Sequence, residues 1–258
     1  MTSMRVRLHA IRQVLGGMML FPWSQAESVL GGYADSIPDA PDELSILAGF
    51  LPGPDGGPLA CLAPMWSGDG QAGRSMDCQA AAAGYASRGS GRHDPVPRLA
   101  WHVWSRCAVG RHYAAKNRSL ARLTPAVMSA LATGGQQRSS PFSAIIVHDF
   151  RGAPTRVPLA ATAFGLRKEH FMVEIIAAWE PAAESNGENH REWARTLSEN
   201  LAPHALPGGY PNMLAPDGHE QTAHAYGANT GRLLQLKRLH DPEGVFTSAI
   251  SLPLQRAA

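Results

Sequence analysis

Two apolar runs set the limits on what this chain can fold into. Ala144–Phe150 reads AIIVHDF and Phe171–Trp179 reads FMVEIIAAW. Both are rich in β-branched and aromatic residues and short, so each is expected as a strong, buried strand. Two further strands, Leu44–Leu51 and Leu59–Met65, flank a Gly- and Pro-rich loop at 52–58, the pattern of paired strands around a turn. Shorter strands are expected at Arg5–His9 and Gly16–Leu20, and a brief return strand at Thr155–Pro158 after a turn at Arg151-Gly152.

Helical spacing occupies the gaps. Ala26, Val29, Leu30 and Tyr33 share one face of a helix for which Ser24 is the expected cap and Glu27 its capping-box partner. Leu123-Thr124-Pro125 opens a second helix running to about Ala132, with Pro125 in the first helical position. His190–Ala202 is amphipathic, carrying Trp193, Leu197 and Leu201, and a final helix is expected over Gln221–Leu239, followed by an extended tail, Asp241–Leu254. Strands in runs, with helices between pairs of them, predict an α+β fold: helices on an antiparallel sheet.

The pattern dissolves near 75–112, where Arg92-His93-Asp94-Pro95-Val96-Pro97 and Trp101-His102-Val103-Trp104 show no clean period. Either a divergent surface insertion or a stretch translated in a shifted reading frame accounts for it.

Several function classes are disfavoured. With 23 basic and 21 acidic residues the net charge is only +2, so nothing electrostatic calls for nucleic acid or an anionic membrane. The apolar stretch Val14–Trp23 follows Arg5, Arg7 and Arg12 as a leader would, but Gly16-Gly17 and Pro22 interrupt it and it is too short to cross a bilayer. It is expected as a buried strand leading into a helix. Cys61, Cys78 and Cys107 have neither CxxC nor Cys/His ligand spacing, and His219 and His224 stand five apart with no acidic third ligand. No disulfide framework or metal site is indicated, and a cytoplasmic setting is expected.

The closing segment carries a resemblance. Tyr226-Gly227-Ala228-Asn229-Thr230-Gly231-Arg232-Leu233, then Leu236-Lys237, then Asp241-Pro242-Glu243-Gly244-Val245-Phe246 resemble the terminal motif of the berberine-bridge family of flavin-linked oxidases. Gly208-Gly209-Tyr210-Pro211-Asn212 is similar to that family's G-x-Y-x-N segment, and Phe171–Trp179 to its central strand. Gly16-Gly17-Met18, Phe21-Pro22-Trp23 and Pro41-Asp42-Glu43-Leu44 resemble the start of its substrate domain. The resemblance implies a substrate-domain-like region over 1–207 and a berberine-bridge-type segment over 208–258. It also implies FAD as cofactor, with the family's N-terminal FAD domain having no counterpart here, so that a separate flavin-domain chain or self-association would complete the site. Two departures stand out: Gly165-Leu166 occupies the place of a Pro-His pair before Arg167, and Met213 stands where an aromatic residue or histidine often follows the asparagine.

Flavin oxidation of a small organic substrate, such as an alcohol, a sugar or a secondary metabolite, needs a base to take a proton as hydride leaves carbon. Glu174, between Val173 and Ile175 in an apolar strand, occupies the position of the catalytic glutamate in plant members of the family. Burial there would push its carboxyl toward values useful for a base. Tyr210 and Asn212, two apart, would present side chains in one direction if extended. Tyr210 is the second catalytic candidate, and Asn212, with donor and acceptor, suits a flavin edge. Tyr226 and Asn229, three apart on the expected final helix, would share a face, and the resemblance implies that this face meets the flavin-side domain and its cofactor.

Overall fold

The structure, a computed structural model, describes residues 3, 5–7, 14–69, 92–94, 109–181, 187–214, 218–247, 250 and 252. Its centre is one eight-stranded sheet. The strands are β1 (Val14–Gly16), β2 (Met19–Phe21), β3 (Leu44–Pro52), β4 (Pro58–Trp66), β5 (Arg92–Asp94), β6 (His112–Leu120), β7 (Ala144–Phe150) and β8 (His170–Trp179). Their order is β5-β1-β4-β3-β7-β8-β6, with β2 pairing β4 off this path. Every pairing among these strands is antiparallel. The two apolar runs are neighbours near the middle, in the register Ile146↔Glu174 and Val147↔Val173.

Alternation divides the sheet into two unlike faces. Ala48 and Phe50 on β3, Ala60 and Leu62 on β4, Ile145 and Val147 on β7, and Val173 and Ile175 on β8 all enter one core cluster. Over that face lie three helices, α1 (Ala26–Ser36), α2 (Pro125–Gln136) and α3 (Glu188–Leu201). They contribute Val29, Leu30 and Tyr33, then Val127 and Leu131, then Trp193, Leu197 and Leu201. The indole N–H of Trp193 donates to the Gly134 carbonyl at 3.0 Å, which joins α3 to α2. This is the α+β sandwich expected from the strand and helix patterning.

The local differences have physical causes. Pro22 leads into a 3-10 turn over Trp23–Gln25, so α1 begins at Ala26 and Ser24 makes no cap bond. Thr124, by contrast, caps α2 as expected, its hydroxyl accepting from Val127 N at 3.3 Å. The return strand expected at Thr155–Pro158 does not form. Ala153–Arg156 and Leu159–Ala161 are 3-10 turns, since Pro154 and Pro158 fix φ and offer no N–H to a ladder. Arg5–Arg7 form no strand; His9 lies outside the described residues. The stretch 16–20 is divided between β1 and β2. Of the atypical stretch 75–112, residues 75–91 and 95–108 lie outside the described residues, and Arg92–Asp94 pairs with β1.

The final helix is broken as well. α4 (His219–His224) is followed by a 3-10 turn, Gly227–Asn229, and then by α5 (Thr230–His240). Gly227 has φ +51°, a left-handed conformation that interrupts the helix at little steric cost. The tail is no simple extension either. The Asp241 carboxylate accepts from Val245 N at 2.8 Å and Phe246 N at 3.0 Å, and Lys237 bonds both that carboxylate and the Phe246 carbonyl. The Lys237 ammonium holds the Asp241 carboxyl below the usual carboxylate range.

Candidate functional site

The sheet face turned away from the helices carries Asn117 and Glu174. Directly opposed residues point to the same side, so Asn117 on β6, Glu174 on β8 and Ile146 on β7 form one row across this face. His148 and Phe150 follow Ile146 on that side of β7. The Glu174 side chain is only 17% exposed, which excludes a freely solvated strand-end carboxylate. Its Oε2 lies 3.5 Å from His148 Nε2, a buried ring nitrogen that has no hydrogen-bond partner among the described residues.

Asn117 explains how the closing segment is held to this face. It is almost wholly buried. Its Nδ2 donates to the Met213 carbonyl at 2.7 Å, and its Oδ1 accepts from Tyr210 N at 3.3 Å. Gln221, at the start of α4, donates from Nε2 to Asn117 O at 2.9 Å and to Gly208 O at 3.1 Å. Two buried amides thus fasten the segment 208–214 over the sheet by satisfying backbone groups that would otherwise be stranded.

Beyond the row lies a cavity of about 580 Å³. Phe150, Phe164, Tyr210, Tyr226 and Arg167 form its half-buried walls, and Asn212 sits exposed at its rim. Asn212 Nδ2 donates to the Tyr210 hydroxyl at 3.3 Å. Tyr210, Asn212 and Tyr226 all line this cavity. Glu174 stands outside the cavity lining, on the same sheet face.

Asn229 has another position. Because the helix breaks at Gly227, Asn229 does not share a helical face with Tyr226. It is buried, with both amide hydrogens committed, to Leu159 O at 2.9 Å and Thr162 O at 3.0 Å. It ties down the loop that carries Phe164 and Arg167. The place where the resemblance fails, Gly165, lies against this strap: a Cβ there would come within 2.5 Å of the Tyr226 carbonyl oxygen. A proline at 165 would push the two segments apart.

Asn117, His148, Phe164 and Arg167 were not singled out from sequence. No strand is expected from sequence over His112–Leu120, so nothing there marks Asn117. Among the described residues no cluster of His, Cys, Asp or Glu could hold a metal ion, and no helix is long and apolar enough to cross a membrane.

Comparison with known proteins agrees with this fold. Residues 209–253, which include the anchored stretch at Tyr210–Met213, match the family model described as Berberine and berberine like. An uncharacterized FAD-linked oxidoreductase of Bacillus subtilis, YvdP, is 31% identical over 105 residues, covering 41% of this chain and 23% of that relative. Among solved structures, BBE-like 28 of Arabidopsis thaliana superposes with a TM-score of 0.77 at 14% identity, over 94% of this chain and 57% of its own. BBE-like 1 of Physcomitrella patens gives 0.78 at 16% identity, over 96% and 56%. GilR, an oxidoreductase solved with pregilvocarcin, gives 0.72 at 20% identity, over 94% and 56%. The chain thus spans little more than half the length of these structures. It carries a berberine-and-berberine-like segment at residues 209–253 on a sheet-and-helix body with the fold of BBE-like structures.

Proposed function

We propose that this chain is the substrate-side half of an FAD-dependent oxidoreductase that oxidises a small organic molecule. The observation that carries the reading is the polar row on the open sheet face. A mostly buried carboxylate, Glu174, stands there on a rigid central strand, beside a cavity walled in part by the berberine-like segment. FAD, the cofactor its relatives imply, would accept the hydride released by the substrate. The residues present suit the ring end of that group. Asn212, with one amide hydrogen on Tyr210, keeps a carbonyl and a second N–H for a flavin edge, and Tyr226 offers an aromatic wall. No step in the chain's own chemistry depends on more than this.

In this reading Glu174 takes the substrate's proton on its carboxylate, and His148 Nε2, 3.5 Å away, is the next proton site. Tyr210, its backbone fixed by Asn117, orients the substrate through its hydroxyl. The partner is a flavin-bearing domain, supplied by another chain or by more of the same polypeptide.

The reading is tested by combining the chain with the flavin-bearing half of a BBE-like protein and following flavin reduction anaerobically. Glu174→Gln should slow single-turnover reduction by about 100-fold or more, since it deletes a general base, while leaving flavin content unchanged. Reduction at an unchanged rate would remove Glu174 from the mechanism. Absence of any reduction across a panel of alcohols and sugars would favour a non-catalytic binding role.

A further inference from the structure

The cavity has a composition that the proposed oxidation does not by itself require. Its walls are rings in mutual contact. Phe150 and Phe164 have centroids 5.5 Å apart, and Phe164 meets Tyr210 edge-on at 5.8 Å. Behind them His170 stacks on Phe150 at 4.5 Å. Into this ring-walled space enters one cation. The Arg167 guanidinium lies 4.9 Å from the centroid of Phe164. It is held by two neutral acceptors, the Pro154 carbonyl at 3.0 Å and the Thr162 hydroxyl. Its Nε is buried without a hydrogen-bond partner, and among the described residues no carboxylate pairs with it.

An arginine held by neutral acceptors and lacking a counter-ion leaves its charge uncompensated at the cavity wall. A planar carboxylate suits it, because the accessible N–H groups of the guanidinium lie in a rigid, planar fork. Aromatic walls select a flat π-system, which gains from offset or edge contacts beyond its buried area. A volume of about 580 Å³ accommodates a small ligand of this kind. His170, made less basic by burial, is a neutral neighbour that adds no competing charge.

We infer that this cavity recognises an aromatic carboxylate, its ring held among Phe150, Phe164 and Tyr210 and its carboxylate paired with Arg167. This rests on the reading above only in taking the ligand to be the oxidised substrate or a close analogue of it. Arg167 then determines specificity and Phe164 supports it, with Asn229 holding the loop that carries both.

The test needs no flavin, so its outcome is separable from the reconstitution experiment. Benzoate, benzamide and cyclohexanecarboxylate are titrated into the purified chain and followed by ligand-observed NMR and calorimetry. Benzoate should bind about tenfold or more tighter than benzamide, the range of a single charge-assisted pair. Cyclohexanecarboxylate should be several-fold weaker than benzoate, reflecting the ring contacts. Arg167→Gln should erase the preference for benzoate over benzamide, and Arg167→Lys should restore part of it. Equal binding of benzoate and benzamide by the native chain, no binding of either, or an unchanged preference in Arg167→Gln would each overturn the inference. The native chain's benzoate-to-benzamide ratio decides the matter if a variant fails to fold.

Discussion

Asn117→Ala is the most informative single change to this molecule. The side chain is 1% exposed and makes two hydrogen bonds, to Met213 O at 2.7 Å and from Tyr210 N at 3.3 Å. Truncation strands both backbone groups beneath the closing segment. Each stranded group costs about 1–3 kcal/mol, and since both partners are only half-buried the low end applies, giving about 2–3 kcal/mol in all. Equilibrium denaturation in urea should show that loss as a lower midpoint, with hydrogen exchange accelerated at Tyr210 and Met213 before the sheet core is affected. Asn117→Asp should be worse at neutral pH than in acid. Its carboxylate can still accept from Tyr210 N but sets an oxygen against the Met213 carbonyl, and protonation restores a donor. A change of under about 0.5 kcal/mol in Asn117→Ala would refute the claim that this amide fastens the segment.

Three further outcomes are expected. Burial lowers the pKa of His170 from its usual 6.5, so the native state resists its protonation. Stability is then full above about pH 6.5 and is lost as pH falls through the lower folded value, and His170→Phe should flatten that part of a melting-temperature profile. Thr124→Ala removes the α2 cap bond and should cost about 1 kcal/mol by thermal or urea unfolding, with the cavity unaffected. Leu239, Val245 and Phe246 are exposed by 72%, 70% and 75%, so the chain should bind an apolar-surface dye and self-associate; light scattering should show less of this in a Leu239→Gln, Phe246→Ser double variant.

The legible parts of this fold are those in which a residue's role depends on its neighbours in sequence. Ala144–Phe150 and Phe171–Trp179 announce strands because their apolar and β-branched content is local, and Thr124-Pro125 announces a helix start for the same reason. The break in the last helix depends on Gly227 adopting a positive φ, and a helical pattern of apolar residues continues across it undisturbed. The Thr155–Pro158 expectation gave too little weight to the prolines on either side. The site divides likewise. Tyr210, Asn212 and Tyr226 were reachable through their motif, whereas Asn117 acts on residues 93 and 96 positions away. Arg167 gains its meaning from the cavity it lines beside Phe164 and Tyr210, a relation that no spacing rule encodes.

The closing segment is joined to the sheet by amide hydrogen bonds, and among the described residues its own apolar cluster is small: Leu214, Ala225 and Ile250, with Tyr226 beside them. Releasing it would uncover little oily surface. Such an opening should respond weakly to urea and carry a small heat-capacity change, while global unfolding of the helix-covered face responds steeply to both. The molecule therefore has two stabilities with different solvent signatures. One belongs to a body that water excludes as a unit, and the other to a strap that water can compete with bond by bond, opening the cavity while the core stays closed.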